Sequence, residues 1–100
     1  PIGEYWEQPD GAVAYLTVLN GVPHTDQYQL YLRFADGQEA LLPLPNRPNS
    51  YAILAPSSAA FTDSSFTYDI DASELGFPGS VYRYTVDLTA KTVAMTVVPA

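Results

Sequence analysis

YQLYLRFADGQEALL, residues 28–42, reads as two β-strands joined by a tight turn. Tyr28, Leu30, Leu32 and Phe34 alternate with Gln29, Tyr31 and Arg33, the period-two pattern of a strand with one buried face. Asp36-Gly37 is a strong turn signal. A two-residue loop would set Phe34 against Glu39 on the buried face, which the apolar pattern opposes. A three-residue loop, Ala35-Asp36-Gly37 with a left-handed glycine, instead sets Leu32 opposite Ala40 and Leu30 opposite Leu42. It also places Arg33 opposite Glu39 on the outer face, an opposite-charge cross-strand pair. The second register is the expected one.

The same period extends outward in both directions. FTYDI (66–70) and VYRYTVDL (81–88) alternate in the same way, and VDLTAKTVAM (86–95) forms a second hairpin with Val86 opposite Val93 and Tyr84 opposite Met95. GAVAYLTVLNG (11–21) is apolar on both faces, as expected of a central strand. Residues 43–65 are rich in Pro, Ser and Asn. Proline removes a ladder donor, so a long crossing connection is expected there, holding one short strand over 51–55. No segment longer than one turn has helical spacing, and the expected class is all-β.

Composition narrows the function. The chain has 100 residues, with eight Tyr, nine Pro, only four Lys+Arg and a net charge of −7. Phosphate binding rests on clustered cations, so this balance argues against nucleic acid and equally against anionic membranes. Cysteine is absent, which removes disulfides and thiolate metal sites. No stretch is long and apolar enough for a membrane-spanning helix, so direct membrane insertion is not expected. The length suits a single domain over residues 1–100. The chain opens at Pro1 without a methionine, as expected of a fragment or processed piece of a larger protein.

Few residues suggest chemistry. The one histidine, His24 in GVPHTD, reads as a solvated turn residue, and no serine sits in a G-x-S-x-G elbow. DIDASELG (69–76) resembles the start of a calcium loop, but Glu74 stands where glycine is required and Ser80 where the bidentate glutamate belongs. Asp71 followed by Glu74, with Gly76 behind, is instead a capping pattern for one helical turn linking two strands. No metal and no cofactor is expected.

The aromatics remain. Tyr28, Tyr68, Tyr82 and Tyr84 fall on inward faces. Tyr31 faces outward with Arg33, while Tyr5, Trp6 and Tyr51 are expected outside regular strands; these four form the candidate ligand-binding set. In EYWEQPDG (4–11), Pro9-Asp10-Gly11 is a turn leading into the first strand. Burial of the indole removes a large apolar area from water, so Trp6 is expected mostly buried rather than stacked on sugar.

FTYDIDASELGFPGSVYRYTVDL (66–88) resembles the E-to-F corner of fibronectin type III and related immunoglobulin-like domains, through Leu75, Pro78, Gly79 and Tyr82, followed by Tyr84 and Val86. The resemblance implies an antiparallel β-sandwich of about seven strands with immunoglobulin-like topology, in which the Tyr82 hydroxyl bonds to backbone of the preceding connection. GSVYRYTVDLTAKTVAMTVV (79–98) is similar, more weakly, to the closing hairpin of SusE/SusF-type surface glycan-binding modules. The expected function is a non-catalytic module of an exported or cell-surface protein, a spacer or a domain contacting protein or glycan. Its partners would be neighbouring domains of the same protein, a glycan, or another surface protein. The alternatives are a dedicated carbohydrate-binding module using exposed aromatics, and a structural subunit of a virion or appendage. An enzyme is not expected.

Overall fold

The structure is a computed structural model that describes residues 2–21 and 25–100. Among them it has eight strands and one 3-10 helix, and the chain divides into two compact units, Pro1–Ala55 and Pro56–Ala100. Each unit carries one four-stranded antiparallel sheet. The all-β expectation holds, and two such sheets are what a β-sandwich requires.

The first unit is a meander of β1 (Ile2–Glu7), β2 (Val13–Gly21), β3 (Thr25–Arg33) and β4 (Glu39–Leu42), adjacent in that order. The β3–β4 register is the expected one, with Leu30 opposite Leu42, Leu32 opposite Ala40 and Arg33 opposite Glu39. The Phe34 amide donates to Gln38 O at 2.7 Å, the Gly37 amide donates to Phe34 O at 2.9 Å, and Gly37 has φ of 90°. Asp36 Oδ1 accepts the Gln38 amide at 2.9 Å, closing the loop from inside.

The same loop recurs at Pro9-Asp10-Gly11. The Gln8 amide donates to Ala12 O, the Gly11 amide to Gln8 O, and the Ala12 amide to Asp10 Oδ1, at 2.9, 3.0 and 2.9 Å. EYWEQPDG is therefore not a segment ahead of the first strand. It holds most of an edge strand of its own, and Tyr5 and Trp6 lie inside β1 rather than outside regular structure. The turn read as an entry point is a hairpin turn.

The second unit is a meander of β5 (Ser58–Phe61), β6 (Ser65–Asp71), β7 (Ser80–Asp87) and β8 (Thr92–Pro99). Between β6 and β7 lies the 3-10 helix Ala72–Leu75. Asp71 caps it by accepting the Ser73 amide, and Gly76 ends it at φ of 94°. This is the single turn the capping pattern predicts. The β7–β8 register also holds, with Val86 opposite Val93 and Tyr84 opposite Met95. Asp87 Oδ1 accepts the amides of Thr89 and Ala90 at the tip of that hairpin, both at 2.9 Å.

In each sheet one face is buried. Ala14, Leu16, Leu30, Leu32 and Leu42 form it in the first unit, and Phe66, Tyr68, Ile70 and Val86 in the second. These are the alternate positions of the period-two pattern.

Three expectations are corrected. The immunoglobulin-like order interleaves strands from distant parts of the chain in each sheet, whereas both sheets here are built from consecutive strands, eight in all among the described residues. In an immunoglobulin sandwich strands E and F belong to different sheets. β6 and β7 are instead hydrogen-bonded neighbours joined by one helical turn. Tyr82 is accordingly only half-buried; no hydrogen bond runs from its hydroxyl to the preceding connection, and its ring lies 6.3 Å from Phe77. The short strand expected over 51–55 is also absent. Ile53 makes only isolated bridges to Gln27 and Asn46, in a stretch flanked by Pro45, Pro48 and Pro56, which have no N–H to extend a ladder. The strand of this connection is β5, where Ala59 and Phe61 oppose Tyr68 and Phe66.

Candidate functional site

Two hairpin registers and the β2–β3 pairing together line up one row of large side chains across the outer face of the first sheet. Tyr5 lies opposite Tyr15, Tyr15 opposite Tyr31, and Tyr31 opposite Leu41. The row is wet at both ends, Tyr5 being 52% and Leu41 60% exposed, while Tyr15 and Tyr31 are half-buried between them. The Tyr15 and Tyr31 rings stack 5.2 Å apart and 19° from parallel. Beside this row runs a second one, Glu7, Val13, Arg33 and Glu39, and on the other side Thr17 faces Gln29.

Hydrogen bonds hold the row in place. The Tyr15 hydroxyl donates to Glu39 Oε2 at 2.7 Å, and the same carboxylate oxygen lies 3.5 Å from Arg33 Nη2. The Tyr31 hydroxyl donates to Gln29 Oε1 at 3.0 Å. The hydrogen bond to Glu39 holds the Tyr15 phenol above the ordinary tyrosine range, with partial burial adding to it, because losing the proton would set two negative charges side by side. At the Leu41 end, a hollow of about 340 Å³ opens among Leu41, Pro43, Leu44, Tyr28 and Ile53.

The four residues expected to bind ligand are thus divided. Tyr5 and Tyr31 share the outer face, two strands apart. Trp6 belongs to the opposite face, paired with Ala14, and is half-buried there. Tyr51 is 71% exposed in the connection after β4, where its carbonyl accepts from Gln27 Nε2 at 3.2 Å. Tyr15, which completes the row, is missing from the expected set. Its signal was present: Tyr5 and Tyr15 each stand five residues from Asp10, as Leu30 and Leu42 each stand six from Asp36. One loop rule therefore gives both registers.

The second sheet's outer face carries an ion pair instead. Arg83 grips Asp69 with two hydrogen bonds, Nε to Oδ1 at 2.9 Å and Nη2 to Oδ2 at 3.1 Å. The guanidinium lowers the Asp69 pKa. The Ser73 hydroxyl and amide lower that of Asp71, and the amides of Ala90 and Thr89 that of Asp87. All three carboxylates are held ionised, the opposite of what a general acid requires. No group of three or more His, Cys, Asp or Glu able to hold a metal occurs among the described residues, and His24 lies outside them. In comparisons with protein-family models, curated proteins and solved structures, nothing matches this chain.

Proposed function

We propose that the chain is a non-catalytic β module of an exported or cell-surface protein, and that the tyrosine row of its first sheet is a contact surface for another protein. The observation that carries this reading is the Tyr15–Tyr31 stack with both hydroxyls tied down. Tyrosine offers broad amphipathic area at small entropic cost, and Tyr and Arg are enriched where binding energy concentrates. Here the residues are held in place before any partner arrives, with Arg33 and Glu39 beside them.

A sugar platform is the second reading, favoured by the exposed ring of Tyr5 and by the similarity of residues 79–98 to SusE/SusF-type hairpins. Sugar stacking needs free ring faces. Tyr15 and Tyr31 each spend one face on the other, which leaves less open ring face for a sugar and suits a protein surface better.

Photo-crosslinking separates the two. A photoreactive residue at position 5 or 41, introduced in the producing cell, should give one discrete protein adduct that Tyr31→Ala abolishes. Position 63, in the second unit, should give none. Tyrosine resonances that shift on titration with cellohexaose or chitohexaose, without a protein adduct, would transfer the surface to the glycan reading.

A further inference from the structure

β8 is the outer strand of the second sheet, and it has almost none of the usual protections of an edge. TVAMTVVP carries no charge in a chain of net charge −7, and its pairing with β7 runs without a bulge from Asp87–Thr92 to Ser80–Pro99. Edge strands are commonly blunted by charges, bulges or proline; here only Pro99, at the end of the strand, serves. Val93, Met95 and Val97 continue the face that is buried at Val86, yet they are 42%, 46% and 59% exposed.

The backbone points the same way. The Ala100 amide donates to Gly79 O at 2.9 Å and that of Lys91 to Asp87 O at 2.8 Å, which fixes the alternation along the strand. Thr92, Ala94, Thr96 and Val98 turn their amides and carbonyls toward β7, so those of Val93, Met95 and Val97 face away from the sheet. The free backbone groups and the uncovered side chains belong to the same three residues.

These three are symmetric about Met95, and that symmetry identifies the occupant. We propose that β8 pairs antiparallel with β8 of a second copy of this chain, about a two-fold axis through Met95. Met95 then meets Met95, and Val93 meets Val97 of the second copy, each exchanging two backbone hydrogen bonds, as an isologous interface requires. The pairing ends by itself where Pro99, without an N–H, falls opposite Lys91, which is in the left-handed turn conformation at φ of 59°. No like charges meet within the strand, although each copy is strongly acidic. This pairing involves the second sheet alone and does not use the tyrosine row.

The chain lacks cysteine, so single cysteines report the geometry cleanly. Met95 and its copy, as a hydrogen-bonded pair, would stand about 5.5 Å apart at Cα, within disulfide range. Two copies of residue 97 would stand four residues apart along the strand, about 13 Å, and could not bridge. Light scattering on the chain at about 100 µM, a concentration at which a weak dimer populates by mass action, should give twice the 10.9 kDa mass. Air oxidation should cross-link Met95→Cys and leave Val97→Cys as monomer. Met95→Pro, which removes an N–H that β7 does not use, should return the chain to a monomer with an unchanged circular dichroism spectrum. A chain monomeric at that concentration overturns the proposal, as does a dimer in which Val97→Cys cross-links as fast as Met95→Cys.

Discussion

Among single residues, the contrast between Tyr68 and the tyrosine row is the clearest. Tyr68 is fully buried and stacks on Tyr84 with centroids 4.8 Å apart and planes 2° from parallel. Burial pushes its phenol far above the ordinary range, and the neighbouring Tyr84 adds to this. Tyr68→Ala leaves a cavity and should cost about 3–5 kcal/mol in urea denaturation. Tyr15→Phe removes only one hydrogen bond, a solvent-exposed one, from a half-buried ring, and a loss of about 1 kcal/mol or less is expected. Tyr15 also makes a prediction about alkaline pH. Its pKa is raised in the folded chain, so its contribution is complete below the ordinary tyrosine pKa and is lost as pH rises through the folded value. Ultraviolet titration should place the Tyr15 transition above that of an exposed tyrosine, and Glu39→Gln should bring it back down. A Tyr15 that titrates identically in both would mean that its hydroxyl does not donate to Glu39.

Elements show which features the sequence makes readable. Gly11 and Gly37 occupy equivalent places in two copies of one loop, at φ of 100° and 90°, and an added Cβ would meet nothing within 4 Å at either. Alanine at each position therefore carries backbone strain alone, about 1 kcal/mol, and both should lower the urea midpoint by similar amounts. A cost confined to Gly37 would mean that β1 does not pair as a hairpin. The register about Asp36 was legible because the turn pair and the apolar alternation agree. The register about Asp10 was just as legible, but Pro9 and the terminal position suggested an entry segment, and with it Tyr15 was lost from the site. β5 was illegible for another reason. Ser58, Ala59 and Ala60 have little β propensity, and only pairing with β6 makes them a strand. Strand order was not legible either, since a period of two tells which face is buried and not which strands are neighbours. The resemblance at residues 66–88 rested on a turn and a tyrosine, which a two-strand meander with a 3-10 link satisfies equally well.

Charge matters most at the scale of the whole molecule. Asp69, Asp71 and Asp87 are held below the ordinary carboxylate range by Arg83, by Ser73 and by the amides of Ala90 and Thr89. With folded pKa values depressed, their contribution is present above the unfolded value, about 4, and is lost as pH falls through the folded values. The melting temperature should therefore hold from neutral pH to about 5 and fall below about 4, and Asp87→Asn should flatten part of that fall. The gathering of Tyr5, Tyr15, Tyr31 and Leu41 on one face of the first sheet can be read from the intact chain by nuclear Overhauser spectroscopy. Gln8–Ala12 and Phe34–Gln38 are hydrogen-bonded pairs, so alternation makes Tyr5–Tyr15 and Tyr31–Leu41 the close, non-hydrogen-bonded kind, with Cα atoms about 4.5 Å apart. Strong Hα–Hα cross-peaks are expected for both pairs. A cross-peak joining Trp6 Hα to Tyr15 Hα instead would show β1 slipped by one residue, with Tyr5 on the opposite face, and would contradict it.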